Sequence, residues 1–377
     1  MKKKILKITT TLDPSFGGPS KGVINTAIHL VKRGYYVDIV TIDKNKFNLK
    51  ELKKKIRIVN FKKYIGNNYR FSLDFFFWLI KNRNKYEYFV VHGLWQFPTL
   101  AARLLIKKKY YVYTHGQLDP YFALDIKKKI KKILYWLFVE HRNLENSRSI
   151  LLTTLGEKLN LNKTFVNTKR IKKKVTEYGI YPQKKFDKQK VISKFYKKFK
   201  FLKNKNFFLF LGRIDEKKGC DIIIEAVKKL KNKLDSLVII VGPAPNKIYK
   251  NKLINLVKSY NLTSKIYFFD PLYGNLKWVL ISLSKAMLLP SHGENFGIAL
   301  VESLSMAKPV ITSNKVNIYK DILNYKCGLI SNDNIDSFSR KLLILDRMNI
   351  NEYSSLSINA KKCFNEKFNL SKLKFVL

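Results

Sequence analysis

The feature that most constrains this chain is an alternation of strand and helix signals that runs, lapses in a lysine-rich stretch, and starts again. Residues 5–11 are β-rich, Gly17-Gly18-Pro19-Ser20 breaks the run, and Val23, Ala27, Leu30 and Val31 recur at helical spacing before Gly34 stops the helix. Residues 36–41 return to β, and further strands are predicted at residues 56–61, 88–91, 110–114 and 149–153, with helical segments between several of them. Strands that alternate with helices imply a parallel sheet covered on both faces. From about Lys172 to Asn206 the pattern weakens, leaving Tyr181-Pro182 and a helix-like run at residues 191–196. It then resumes: strand 207–211, helix 220–230, strand 236–241, helix 248–260, strand 266–269, helix 278–284, strand 286–289, helix 297–306, strand 309–312. A last helix is predicted over residues 353–368.

Two rounds of alternation in 377 residues imply two doubly wound domains, since one core seldom serves a chain this long. The material for two cores is present, with 46% of residues hydrophobic and 14% aromatic. The expected division is an N-terminal, acceptor-side domain over residues 1–180, a linker over 181–206 and a ligand-binding domain over 207–352. A helical segment at 353–377 is expected to pack back on the N-terminal domain.

Several classes fall away. No charge-free run of eighteen apolar residues occurs, and the longest candidate, residues 71–80, is too short to span a bilayer. The basic start Met1-Lys2-Lys3-Lys4 precedes a stretch too short and polar for a signal-peptide core, so it reads as the first strand. Cys220, Cys327 and Cys363 are odd in number and far apart, which indicates neither a disulfide framework nor a zinc site and fits a reducing cytoplasm. The net charge of +47 invites a nucleic-acid partner, but lysine far outnumbers arginine and is spread along the chain with asparagine and isoleucine. That pattern is what A+T-rich coding produces; attraction to an anionic membrane surface or lipid acceptor is the other reading, and no nucleic-acid partner is expected. Ile126, Ile130, Ile133, Leu134, Leu137, Phe138 and Leu144 trace one face of a basic amphipathic helix, with Lys127, Lys128, Lys129, Lys131 and Lys132 on the other. The expectation is that its apolar face packs on the sheet, with contact to a membrane surface as the alternative.

In doubly wound domains the ligand crevice lies at the carboxyl ends of the strands. After strand 207–211 comes Gly212-Arg213-Ile214-Asp215-Glu216-Lys217-Lys218-Gly219, which sets cations at a helix start, where free N–H groups and the helix dipole also favour a diphosphate. After strand 286–289 comes Pro290-Ser291-His292-Gly293-Glu294-Asn295-Phe296-Gly297-Ile298, with Glu302 some two turns further on. A carboxylate is a two-pronged acceptor suited to the vicinal hydroxyls of a hexose or ribose. Each group also has an ordinary role: Arg213 as a surface ion pair, the acids as partners of a helix dipole.

Together these segments resemble the donor site of the retaining group 1 glycosyltransferases with the GT-B fold. The family pattern places a second Glu eight positions after the first, with an aromatic-Gly pair between, as Glu294, Phe296-Gly297 and Glu302 do here. The resemblance extends to Leu211-Gly212-Arg213 with Lys218, to Val241-Gly242-Pro243 and Pro309-Val310-Ile311, and in the first half to Gly17-Gly18 and His115-Gly116. It implies two Rossmann-like α/β domains facing across a cleft. It further implies that Arg213 and Lys218 hold the donor diphosphate, Glu294 the donor hexose and Glu302 the ribose, with the amides of Phe296, Gly297 and Ile298 facing sugar and phosphates. His115 would lie by the donor sugar, and Gly17 and Gly18 would leave room for phosphate or acceptor. No Asp-any-Asp motif occurs, so neither a catalytic metal nor a cofactor is expected, the substrate being a UDP- or GDP-sugar.

The departures are specific. Asp270-Pro271-Leu272-Tyr273-Gly274 lacks the acidic turn many relatives carry, and Thr153-Thr154-Leu155-Gly156-Glu157 follows the family's Ser-x-x-Glu run only loosely. His92 reads as a capping or structural histidine, and His292 as a weak additional candidate. The functional expectation is a cytoplasmic, metal-independent hexosyltransferase acting with retention on a glycan or lipid-linked acceptor in surface polysaccharide or lipopolysaccharide synthesis, peripheral on the inner face of the membrane. The alternatives are a GT-B nucleotide-sugar epimerase and a non-catalytic glycan-assembly binding protein.

Overall fold

Short runs of β-branched and aromatic residues bounded by glycine, proline or polar turns form the strands of this chain, and the apolar stripes between them form its helices. The structure is a computed structural model that describes residues 3–13, 16–43, 56–63, 69–106, 109–119, 126–163, 168–183 and 187–373. It divides into two units, Met1–Tyr178 and Gly179–Leu373.

In the first unit the order is β1 (Lys4–Thr9), α1 (Gly18–Lys32), β2 (Tyr36–Ile42), β3 (Ile56–Phe61), α2 (Leu73–Asn82), β4 (Tyr88–His92), α3 (Phe97–Ile106) and β5 (Tyr110–Tyr113). There follow α4 (Ile126–Tyr135), a π-helical turn (Trp136–Glu140), α5 (His141–Glu145), β6 (Ser149–Leu152), α6 (Leu155–Asn160) and β7 (Lys173–Val175). The strands make one parallel sheet in the order β3-β2-β1-β4-β5-β6-β7. Ile8 of β1 lies in register with Val40 on one side and Val91 on the other, and all three are fully buried.

The second unit runs α7 (Lys188–Lys198), β8 (Phe207–Leu211), α8 (Cys220–Leu230), β9 (Leu237–Val241), α9 (Lys247–Ser259), β10 (Ile266–Phe269) and α10 (Gly274–Leu283). It continues with β11 (Ala286–Leu289), α11 (Ile298–Ser305), β12 (Val310–Ser313), α12 (Tyr319–Asn324), β13 (Gly328–Ser331), α13 (Ile335–Asp346) and α14 (Ile350–Cys363). Its parallel sheet has the order β10-β9-β8-β11-β12-β13. Phe208, Leu209, Val238, Ile240, Met287 and Leu288 are fully buried, as expected of strands covered on both faces. Strand order reverses between β1 and β4 in one unit and between β8 and β11 in the other, so a crevice is expected at the carboxyl end of each pair.

Residues 181–206, read from sequence as a linker, contain α7, which packs against α10 with Phe195 fully buried. The last helix is α14, which packs on α11 of its own unit and passes into a π-helical turn, Phe364–Phe368. Ile180 donates to the carbonyl of Phe368 at 3.0 Å, so the start and end of this unit are joined.

One expectation is overturned. The apolar stripe of α4 does not pack on the sheet: Ile130, Ile133, Leu134, Leu137 and Phe138 are all exposed. The buried face is carried instead by Trp136, Glu140, Asn143 and Leu144. The reason is the π turn, which inserts extra rotation, so a stripe continuous at helical spacing in the sequence is split between solvent and core. The side chains of Ile126, Lys127, Lys128 and Lys129 lie outside the described residues.

Candidate functional site

At the end of β8 the chain makes a single 3-10 turn, Glu216–Lys218, whose first N–H groups are capped by Asp215, which accepts from the Lys217 amide at 3.1 Å. Gly219 ends that turn with φ of 71°, and a Cβ there would lie 2.2 Å from the carbonyl oxygen of Pro290, so only glycine lets the loops after β8 and β11 approach this closely. Two further bonds fasten them: the Ser291 hydroxyl donates to the Lys217 carbonyl at 2.7 Å, and the His292 amide donates to the same carbonyl at 2.9 Å. The result is that Lys218 and Glu294, separated by 76 positions in the chain, meet as an ion pair.

Glu294 is held from the other side as well. Its amide donates to Lys315 at 3.1 Å, and its carbonyl accepts from the amide of Asn317 at 2.9 Å. Burial pushes its carboxyl pKa up, but Lys218, with Lys217 and Arg213 near enough to act electrostatically, outweighs that and holds it below the ordinary range. Arg213, Lys218 and Glu294 therefore form one charged cluster at the β8/β11 reversal.

Gly297, with φ of 72°, caps the start of α11 without a side-chain bond to its amides, and Ile298 is the first helical residue. Phe296 is buried edge-on against Phe368, their ring centres 5.6 Å apart. Glu302, only 2% exposed, accepts from the Lys277 ammonium at 2.9 Å. Lys277 escaped the sequence reading, although a signal existed: it is the one charged residue in α10, an otherwise uncharged helix. His292 turns to Asp333, 3.3 Å away.

In the first unit, Gly17 with φ of 83° precedes α1, and Gly18 opens it with Pro19 in the first turn. His115 sits at the end of β5 in a left-handed turn, with φ of 49°, followed by Gly116 at 74°. The carboxylate of Glu157 secures that turn, accepting from the Thr114 hydroxyl at 2.5 Å, the Gly116 amide at 2.7 Å and the Thr153 amide at 2.8 Å. The loosely matching segment around Glu157 thus carries a defined task.

His92, at the end of β4, is buried, as a structural histidine would be. It has a partner that the sequence did not show: His115 Nε2 lies 3.0 Å from its Nδ1, and its ring stacks on those of Tyr113 and His115. Beneath them is Lys7 of β1, 1% exposed, whose ammonium donates to the Thr26 hydroxyl. Burial pushes the Lys7 pKa down to about 7; burial and then Lys7 push His115 down to about 3; His92, for the same causes and His115 besides, falls well below its ordinary range. A lysine inside a β-branched strand was readable as the first strand and nothing more, because its depth follows from the sheet order.

Among the described residues, no group of three or more His, Cys, Asp or Glu side chains is placed to hold a metal, and no helix is long and apolar enough to cross a membrane. The three cysteines are buried and free.

Comparison with known proteins fits this geometry. Residues 191–363, which contain the Arg213, Lys218 and Glu294 cluster, match the family described as Glycosyl transferases group 1, and residues 16–186 match Glycosyltransferase Family 4. The chain belongs to the group 1 glycosyltransferases. This glycosyltransferase is 33% identical over 116 residues to the O-antigen biosynthesis glycosyltransferase WclY of Escherichia coli, a stretch covering 31% of this chain and 30% of that relative. It is 26% identical over 250 residues to the lipopolysaccharide glucosyltransferase WaaG of Escherichia coli, covering 60% of this chain and 65% of WaaG. The chain thus spans under a third of WclY and under two thirds of WaaG. The fold is shared more fully: Anabaena HepE, solved in complex with UDP and glucose, superposes with a TM-score of 0.76 at 14% identity, over 98% of this chain and 96% of that one. The WaaG crystal structure superposes with a TM-score of 0.68 at 16% identity, over 96% of this chain and 95% of that one. The two parallel α/β units are those of a GT-B glycosyltransferase.

Proposed function

We propose that this glycosyltransferase moves a hexose-type sugar from a UDP- or GDP-sugar to a hydroxyl on a glycan or lipid-linked acceptor, with retention and without a metal or cofactor, in surface polysaccharide or lipopolysaccharide synthesis. The observation that carries the reading is the charged cluster at the β8/β11 reversal, where Lys218 and Glu294 meet within reach of Arg213.

In the transfer, the bond between the sugar carbon and the diphosphate oxygen breaks, its electron pair leaves with the diphosphate, and the acceptor oxygen bonds to the carbon. The acceptor proton passes to the departing phosphate. Charge grows on the leaving group, and Arg213 and Lys218 stabilise it there. Before the donor arrives Glu294 neutralises Lys218; a diphosphate competes for that cation and leaves Glu294 free to accept from sugar hydroxyls. Glu302 takes the ribose and the amides of Phe296, Gly297 and Ile298 the sugar and phosphates. The parts given to His115, Gly17 and Gly18 rest on the family resemblance alone. WclY and WaaG, by their names, serve O-antigen and lipopolysaccharide synthesis, which supports the same acceptor class; a place in the cytoplasm at the inner membrane face is part of the proposal.

A thermal-shift screen against UDP- and GDP-sugars tests the donor, because a ligand that prefers the folded chain raises its melting temperature. The expected result is stabilisation by one of these donors and, with acceptor, an NMR product spectrum keeping the donor's anomeric configuration. Free epimerised nucleotide sugar, or tight donor binding with no consumption, would overturn the transfer reading in favour of an epimerase or a binding protein respectively.

A further inference from the structure

We propose that His92 is a positioning residue: its Nδ1–H, donated to Nε2 of His115, fixes His115 as a hydrogen-bond donor through Nδ1 to a sugar hydroxyl at the carboxyl end of the first sheet. The link between the two rings is 3.0 Å long and joins the last residue of β4 to the second residue past β5.

Only one proton can sit in that link. Burial, with Lys7 as the next cause, keeps both imidazoles uncharged, so each ring carries a single N–H. The far ends of the pair decide where the shared proton belongs. His92 is 5% exposed, and its Nε2 is buried without a hydrogen-bond partner. His115 is half-buried, and its Nδ1, which no described residue engages, is open to solvent. If His115 Nε2 carried the shared proton, Nε2 of His92 would be a buried N–H with nothing to receive it. An unpaired ring lone pair is the cheaper orphan there, because buried N–H groups without partners are the rarest kind. The shared proton therefore belongs to His92 Nδ1, and His115 keeps its own on Nδ1.

The arrangement is held in place. His92, Tyr113 and His115 stack on one another with ring centres 5.1 to 5.6 Å apart, and Tyr113 is fully buried with its hydroxyl 3.2 Å from that of Thr176. A ring flip of His115 would break the link and leave a second imidazole unpaired in the core. What His115 offers at the strand ends is a donor without charge, which suits a neutral polyol better than a phosphate. The strand-order reversal at β4 puts the expected crevice beside it. That the occupant is a sugar rests on the transfer reading above; the tautomer stands on this geometry alone.

The chain holds five histidines, so long-range proton–nitrogen NMR of the isotopically labelled protein can resolve each ring. In the wild type at neutral pH the His115 proton is expected on Nδ1. In His92→Phe, which keeps a stacked ring and discards the orphaned nitrogen, the Nε2–H form that a free neutral imidazole prefers should gain. His92→Asn, whose amide nitrogen falls near the place of Nδ1, should hold the wild-type tautomer. In steady-state transfer, His92→Phe should lower kcat roughly tenfold with little change in donor KM, the worth of one misplaced hydrogen bond, and His92→Asn should recover most of it. Added to His115→Phe, the same substitution should cost nothing further. A proton on Nε2 of wild-type His115, an unchanged tautomer in His92→Phe, or losses that multiply in the double variant would overturn the proposal. A shifted tautomer with normal kcat would overturn the positioning role and leave the transfer reading intact. A wild type that binds no nucleotide sugar would strike that reading instead, with the NMR result still deciding the tautomer.

Discussion

The two units handle buried charge in opposite ways. In the second, Glu294 and Glu302 each meet a lysine, and Glu294 is held ionised by it. In the first, Lys7 in the middle of β1 lies beneath His92 and His115; burial lowers the pKa of all three, and Lys7 lowers those of the two histidines further, so both imidazoles are neutral. Paired charges stay available for a charged ligand, and a diphosphate can exchange into them. Uncharged bases offer hydrogen bonds without net charge, which suits a neutral sugar hydroxyl better than a phosphate. The same α/β framework thus presents one ionic pair of acids and lysines and one pair of neutral histidines.

The largest effect that would break this contrast lies in the second unit. Arg213→Ala together with Lys218→Ala should lower turnover roughly 100- to 1,000-fold, with a smaller change in donor affinity. Unchanged kcat in a steady-state assay would remove the ionic site from the mechanism.

Next comes the deeper pair. Glu302→Ala strips a half-buried lysine of its buried carboxylate and should cost about 2 kcal/mol of stability as well as donor affinity. Adding Lys277→Met should restore much of the stability but not the donor affinity, as denaturant titration and calorimetry would show. Recovery of both would make the pair structural rather than ligand-binding.

The effect that is smallest per pH unit sharpens the other side. Lys7 titrates near 7 in the folded chain and near 10.5 in the unfolded one, so between those values the unfolded chain holds a proton that the folded chain lacks. Stability then rises with pH across that window, by up to about 1.4 kcal/mol per pH unit from this residue. Lys7→Met should remove that share, so urea titrations at several pH values would show the variant more stable at pH 7 and the gap closing towards pH 10. A constant gap would mean that Lys7 keeps its charge inside the sheet.

Much of this was readable in advance, and the exceptions have physical causes. Phe207–Leu211, Ile266–Phe269 and Ala286–Leu289 match the predicted limits because each is an apolar run closed by a turn residue or charge, and Cys220–Leu230 because its apolar stripe starts directly after Gly219. β7 and β13 went unseen: the first is two lysines and a valine at a sheet edge, and the second, Gly328-Leu329-Ile330-Ser331, has only two apolar residues between a glycine and a serine. The candidate site residues Arg213, Lys218, Glu294 and Glu302 were visible as residue types in a spacing. Their partners were not, since Lys277 and Lys7 come from elements whose depth is set by the sheet order. The α4 stripe misled because a π turn changes the phase of a helix without changing its composition.

The near-contact of Gly219 with Pro290 makes the segments after β8 and β11 a single mechanical part. A chimera that exchanges one of them with a relative's would carry a mismatched seam at Gly219 and separate the lysine from its glutamate. On the proposed reading, donor preference rests on the two loops together, and any attempt to re-engineer it has to transplant both.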